Sequence, residues 1–231
     1  MVLPPLSIDV VSDVVCPWCY LGKRRLERAL ELLPEPEVSV GWHPFRLDPT
    51  IPPEGMEREA YLLQKFGDVD GIIASHKYLT AMGLEEGVEY HFDRINRSPN
   101  TVDAHRLIRW ASADGLQDAM VERLFAGYFR DGVDIGDTQV LADLARDVGV
   151  GNGDIADRLA GDEDRAAVAG EIDNAYRIGV TGVPCFIIDR RYAVMGAHPP
   201  QELADAIVKA AAKPTPDAGP EPPLADNKPG R

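Results

Sequence analysis

The feature that most constrains this chain is Cys16-Pro17-Trp18-Cys19, which stands where one hydrophobic pattern gives way to another. Before it, Ile8, Val10, Val11, Val14 and Val15 form an apolar run that reads as a buried strand within 7–15. Asp9, Ser12 and Asp13 interrupt the run, so the strand should end near Val11, with a short loop carrying 12–15. After it, Leu21, Leu26, Ala29, Leu30 and Leu33 recur at helical spacing, predicting a helix over 17–33 that Pro34 and Pro36 stop. Cys16 then sits at a helix N-terminus, where unpaired N–H groups and the positive end of the dipole favour a thiolate. Pro17 suits the first helical position, where its missing N–H costs nothing. Cys19 follows nearly one turn later, within reach of a mixed disulfide on Cys16. The pattern predicts a reversible dithiol/disulfide, Cys16–Cys19, with both cysteines catalytic. Two other readings stand beside it. The cysteines could be buried small hydrophobes. They could also be half of a zinc site, although the only further cysteine is Cys185 and no histidine lies within three to five residues of either. No metal ligands are assigned.

The 231-residue chain is long enough for a sizeable core and for one elaborated domain. Its net charge of −14 argues against nucleic acid and against anionic membrane surfaces as partners. Three cysteines are too few for a secreted disulfide framework. Met1 to Leu6 lacks a basic segment and a long apolar one, and no 18-residue apolar run occurs, so neither a signal peptide nor a membrane span is expected. The expected compartment is a reducing cytoplasm.

On the first helix, Lys23, Arg24, Arg25, Glu27 and Arg28 read as the solvated face. Residues 37–45 alternate (Val38, Val40, Trp42) and read as a second strand, parallel to the first through a right-handed crossover. A proline-rich loop follows over 47–55. Helical patterns then run near 57–66, 69–82, 102–114, 116–130, 137–148, 153–159 and 162–178. An antiparallel hairpin over 183–188 and 192–195 and a last helix over 200–212 close the ordered chain. The Pro- and Gly-rich stretch 213–231 reads as a disordered tail. The order β-α-β, helical block, β-β-α is an α/β class with one mixed sheet. The thioredoxin-like part takes in 1–55 and 172–212, and 56–171 is an inserted helical domain that overhangs the N-terminus of the first helix.

The motifs Ser12-Asp13-Val14-Val15-Cys16-Pro17-Trp18-Cys19-Tyr20-Leu21-Gly22, Pro44-Phe45-Arg46-Leu47 with Pro52-Pro53-Glu54-Gly55, Asn100-Thr101 with Ala104-His105-Arg106-Leu107, and Gly179-Val180-Thr181-Gly182-Val183-Pro184 together carry a resemblance. So does Gly196-Ala197 before Pro199-Pro200. The chain resembles the DsbA superfamily of thioredoxin-fold oxidoreductases, and within it the FrnE-like branch. That branch groups with 2-hydroxychromene-2-carboxylate isomerases and kappa-class glutathione transferases. The resemblance spans 7–212. It implies a cis peptide between Val183 and Pro184 beside the cysteines, and a Val183 backbone that pairs with an extended substrate peptide or with glutathione.

Two departures accompany the likeness. Cys185 follows the proline, where relatives carry an aromatic or aliphatic residue; it reads as a core thiol, or as a third thiol near the redox centre. Relatives also often carry a buried acid six residues before the nucleophile, and here that position is Val10. Asp9 flanks it on the opposite strand face, and Asp13 or a water is left as the candidate helper of Cys19.

The function implied is thiol–disulfide exchange on a protein or peptide substrate, with no bound cofactor and with glutathione as a candidate co-substrate. Trp18, Val183, Pro184, Asn100 and His105 are the candidate substrate-binding residues. Asn100 and His105 have structural readings too, a helix cap and a satisfied polar group. The rival function is a glutathione-dependent isomerase or transferase. There a serine usually stands in place of Cys16, and a Ser-Asp pair stands where this chain has Ala197-His198. A monomer or a homodimer is compatible with the resemblance. His43, His76, His91 and His198 show no ligand spacing.

Overall fold

The computed structural model describes residues 5–34, 37–151 and 153–212. The expected disordered tail over 213–231 lies outside the described residues. Strand β1 (Leu6–Ser12) leads through a tight loop into helix α1 (Pro17–Glu31), and the chain returns as β2 (Val38–Pro44). A long helical block separates these from the hairpin β5 (Cys185–Ile188) and β6 (Tyr192–Met195) and from the final helix α9 (Pro200–Ala211). The sheet order is β2-β1-β5-β6. β1 and β2 are parallel, while β5 runs antiparallel to both β1 and β6. This is the mixed sheet of a thioredoxin fold.

The block holds α2 (Arg58–Phe66), α3 (Val69–Glu85), α4 (Val102–Ala113), α5 (Gln117–Ala126), α6 (Thr138–Val148), α7 (Ile155–Ala160) and α8 (Arg165–Arg177). Sequence patterning misses two details. Met56–Glu57 (β3) and Arg97–Ser98 (β4) form a two-residue ladder that clips the proline-rich loop to the start of α4. The helix expected over 116–130 becomes a π-helical turn at Gly127–Asp131. The boundary expected at 171/172 falls inside α8. One continuous hydrophobic core joins Ile8, Val10, Leu26 and Phe186 of the sheet part to Leu107, Leu124, Phe129 and Leu144 of the block. The two regions are therefore separate in topology and share this core.

The expected solvated face of α1 is also corrected. Lys23 is 2% exposed and Arg25 8% exposed. The cause is that α1 is sandwiched. α9 packs on one side, and acids from the end of α3 and from α5 reach Lys23 and Arg25, while Arg24 and Glu27 stay half-buried and Arg28 exposed. The buried cations are neutralised locally: Lys23 meets Glu27, Asp118 and Glu122, while Arg25 meets Glu86 and donates to the Ala197 carbonyl. Burial works against the charged form of Lys23, but the three carboxylates together push its pKa up.

Gly22 fixes how closely α1 approaches the hairpin. A Cβ at this position would lie 2.8 Å from Pro184 Cγ and 3.3 Å from Phe186 Cζ. Gly22→Ala is therefore expected to cost about 1–3 kcal/mol through overpacking. Urea unfolding should show it as a lower midpoint at unchanged slope; an unchanged midpoint would contradict the close packing.

Candidate active site

The loop between β1 and α1 places the cysteines. Cys16 is the N-cap of α1, with extended backbone (φ −89°, ψ 113°), and Pro17 takes the first helical position. The Cys16 N–H donates to the Asp13 carbonyl at 2.9 Å, and the Cys19 N–H donates to the Cys16 carbonyl at 3.0 Å. Both cysteines are reduced and buried, Cys16 at the floor of a cleft and Cys19 beneath it. Val183–Pro184 is a cis peptide, as the resemblance implies. Its Val183 carbonyl oxygen lies 3.7 Å from Cys16 Sγ. Among the described residues, no other backbone group uses the Val183 N–H or carbonyl. The edge is free for a ligand backbone.

The two thiols differ in environment. Burial, then the neighbouring Cys16 sulfur, push the Cys19 pKa well up; the Ser12 hydroxyl and the Asp13 N–H pull weakly the other way. Cys19 is therefore the proton-holding member of the pair. Tyr90 donates its hydroxyl to the Pro17 carbonyl at 2.6 Å and braces the first turn of α1. Burial, then the Cys16 charge, hold Tyr90 in its neutral form.

Above the cysteines lies a cleft of about 640 Å³. Its floor is Cys16, Trp18 and Val183, one wall is the 46–51 loop, and its roof is the α2–α3 hairpin with Leu62, Phe66, Ile72 and Leu79. Trp18 is half-buried and tilts against Tyr78, with ring centroids 6.2 Å apart. Three cations enter this mostly apolar space: Arg46, Arg58 and Lys65. Lys65 is paired with Asp48. Arg46 donates to the Ile51 carbonyl and Arg58 to the Tyr128 hydroxyl. Neither arginine is in an ion pair among the described residues, and Arg58 Nε is buried without a hydrogen-bond partner. Arg46 lies in a motif that carries the resemblance but gives it no role, and Arg58 and Lys65 lie in none, so sequence reasoning missed all three as site residues. The overhang of helices alone pointed to the cleft.

The remaining candidates separate. Trp18 and Val183 line the cleft, and Pro184 packs under α1. Asn100 and His105 are not among the cleft residues. Asn100 donates to the Ile51 carbonyl and accepts from the Val102 N–H, one residue ahead of Thr101, the N-cap of α4. His105 is 4% exposed and hydrogen-bonds the Phe45 carbonyl at 3.0 Å. Cys185 is 1% exposed and packs with Val11, Phe45, Ala175 and Val180. Cys16 and Cys19 belong to the other core cluster, so Cys185 lies across the sheet from them. Asp9 faces His43, 3.1 Å away, and Val10 occupies the position of the absent acid as a plain core residue. Among the described residues no group of three or more potential ligands is placed to hold a metal, and no helix is long and apolar enough to cross a membrane.

Comparison with known proteins follows this geometry. A profile of the DSBA-like thioredoxin domain matches residues 7–208. The probable DsbA oxidoreductase of Streptomyces coelicolor is 31% identical, over 91% of this chain and 92% of that one, with a TM-score of 0.84. The fold is shared with the cytosolic disulfide reductase DsbM from Pseudomonas aeruginosa, solved with GSH, at 20% identity over 88% and 98% of the two chains and a TM-score of 0.60. It is shared too with a 2-hydroxychromene-2-carboxylate isomerase, at 14% identity over 88% and 95%, with a TM-score of 0.67.

The raised Cys19 pKa has a consequence for stability. An unfolded cysteine ionises near about pH 8.5. Folded and reduced, Cys19 keeps its proton above that pH, so its contribution is full below about pH 8.5 and falls as pH rises further. Cys185 and Tyr90 act in the same direction. Urea midpoints of the reduced protein should decline with pH above that value, and Cys19→Ala should flatten the decline in part. An unaltered decline in the variant would contradict the assignment.

Proposed function

The chain belongs to the DSBA-like thioredoxin domain family, and from that premise we propose that it is a thiol–disulfide oxidoreductase working through Cys16 and Cys19. The observation that carries the reading is the asymmetric reduced pair. Cys16 opens on the cleft beside the free Val183 backbone, and Cys19 lies behind it with its proton held. Cys16 attacks a substrate disulfide, and a mixed disulfide forms. Cys19 then attacks Cys16 Sγ and releases the substrate thiol. The reverse direction oxidises a dithiol.

The proposed substrates are proteins or peptides, with glutathione as co-substrate. Arg46 and Arg58 support the second part. In a chain of 38 acidic and 24 basic residues, two arginines without an acid partner in one cleft suit carboxylates brought from outside. The isomerase or transferase reading has no need of Cys19, whereas this site builds a distinct environment for it. The proposed compartment is the cytoplasm, since the three cysteines include no structural disulfide.

Thiol trapping with mass detection across glutathione buffers tests the redox reading. The expected result is a reversible two-electron transition of Cys16 and Cys19 between about −300 and −100 mV, with Cys185 unchanged. Cys16→Ser should abolish it, and Cys19→Ser should accumulate a mixed disulfide. Glutathione bound without any thiol cycling would move the function to the isomerase or transferase class.

Arg58→Ala should raise KM for glutathione disulfide about tenfold or more, with a smaller change in kcat, as expected for a lost charge-assisted hydrogen bond. Steady-state kinetics would read this, and an unchanged KM would remove Arg58 from the binding site.

A further inference from the structure

Cys19 must lose its proton to attack the mixed disulfide, and it is buried away from the cleft solvent. The strand position that could have carried an acid is Val10. The next residue along that strand face is Ser12, which is 4% exposed. Its Oγ is buried without a hydrogen-bond partner, and its nearness to Cys19 favours the Cys19 thiolate. Buried hydroxyls without partners are uncommon in native proteins.

Ser12 also borders a small cavity of about 10 Å³, enough for one water molecule, and His105 lies on the same cavity. The Phe45 carbonyl can only accept, so the His105 nitrogen 3.0 Å from it, Nε2, carries the ring proton. In the neutral ring, Nδ1 is then a proton acceptor. Asp13 Oδ1 is 3.6 Å from Nε2, buried and without a hydrogen-bond partner. Its other oxygen accepts from the Leu47 N–H at 2.8 Å, which fixes the carboxylate in place. The carboxylate thus faces the ring nitrogen that carries the proton. The remaining charged or titratable groups around the cavity are His43 from β2, Arg109 from α4 and Glu171 from α8. Arg109 and Glu171 pair with each other, and His43 is held by Asp9.

We propose that Ser12 and His105, bridged across this cavity by a buried water molecule, take the proton from Cys19 during resolution, while Asp13 balances the charge on the imidazole. The proposal rests on the oxidoreductase reading above. The Cys19 proton passes through the Ser12 hydroxyl and the water to His105 Nδ1. The Cys19 thiolate forms a bond to Cys16 Sγ, and the bond from Cys16 Sγ to the substrate sulfur breaks. The electron pair leaves on that sulfur as a thiolate. The imidazolium then returns its proton through solvent to the released thiolate. The substrate disulfide has gained two electrons, and Cys16–Cys19 has lost them. In this relay Ser12 is the group next to Cys19; His105 and Asp13 are positioning residues that act through it.

Rapid mixing of the reduced protein with 5,5′-dithiobis(2-nitrobenzoate), in a Cys185→Ala background, separates the two steps. The first thionitrobenzoate released reports attack by Cys16, and the second reports resolution by Cys19. His105→Gln is expected to leave the first phase intact and slow the second about 10- to 100-fold at neutral pH. In that variant the second rate should climb about tenfold per pH unit, following the thiolate fraction, whereas the parent should level off. Ser12→Ala should behave the same way, and Ser12→Thr should restore the rate. Should His105→Gln fail to fold, the Ser12 pair decides alone. An unaltered second phase, equal slowing of both phases, or the same slowing in His43→Gln would each overturn the relay. Absence of the first phase in the parent would instead overturn the oxidoreductase reading itself.

Discussion

The site depends on the antiparallel pairing of β1 with β5. That ladder joins residues 174 to 180 positions apart and sets Val11 opposite Cys185 and Val10 opposite Phe186. It therefore brings the Val183–Pro184 peptide to the N-terminus of α1, where the Val183 carbonyl meets Cys16 Sγ. A one-residue slip would exchange the faces of β5, taking Phe186 from under Gly22 and putting Cys185 toward the cysteine pair. The register is held by apolar side chains on both faces, with all four residues of β5 buried.

The helical block contributes to the site in two distinct ways. α5 and α8 pack on the sheet part, and together with α4 they close the space behind Cys19, so that burial keeps its proton in place. The α2–α3 hairpin is attached more lightly. α2 has no buried residue, and α3 buries only Leu79 and Gly83. Leu63, Phe66, Val69 and Ile73 remain exposed on it. An element with so little buried surface has low local stability, which suits the roof of a cleft that must admit a substrate.

Charge is arranged to the same end. The chain is strongly acidic, yet its buried cations are matched one by one: Lys23 with three carboxylates, Arg25 with Glu86, and Arg106 with Asp103 and four backbone carbonyls. Unmatched buried charge is expensive, so this pairing is a condition of folding. Against that background, Arg46 and Arg58 stand out because they face the cleft with neutral partners only.

Sequence alone determined the β-α-β, helical block, β-β-α order, the strand-to-helix position of Cys16 and most helix boundaries to within a few residues, because these follow from local periodicity, prolines and caps. The motif residues around Val183-Pro184 carried the likeness that anticipated the cis peptide. The sequence also left Cys185, Asn100 and His105 with two meanings each, and it misread Lys23 and Arg25 as solvated. Those meanings depend on which faces other elements cover, and no short-range pattern records that. Only the tertiary structure put Cys185 across the sheet from the pair, tied Asn100 to the Ile51 carbonyl, and set His105 beside Asp13 and on one cavity with Ser12. The physical reason is that secondary structure is written in neighbouring residues, whereas burial, and with it the behaviour of a thiol or an imidazole, is decided by segments far apart in the chain.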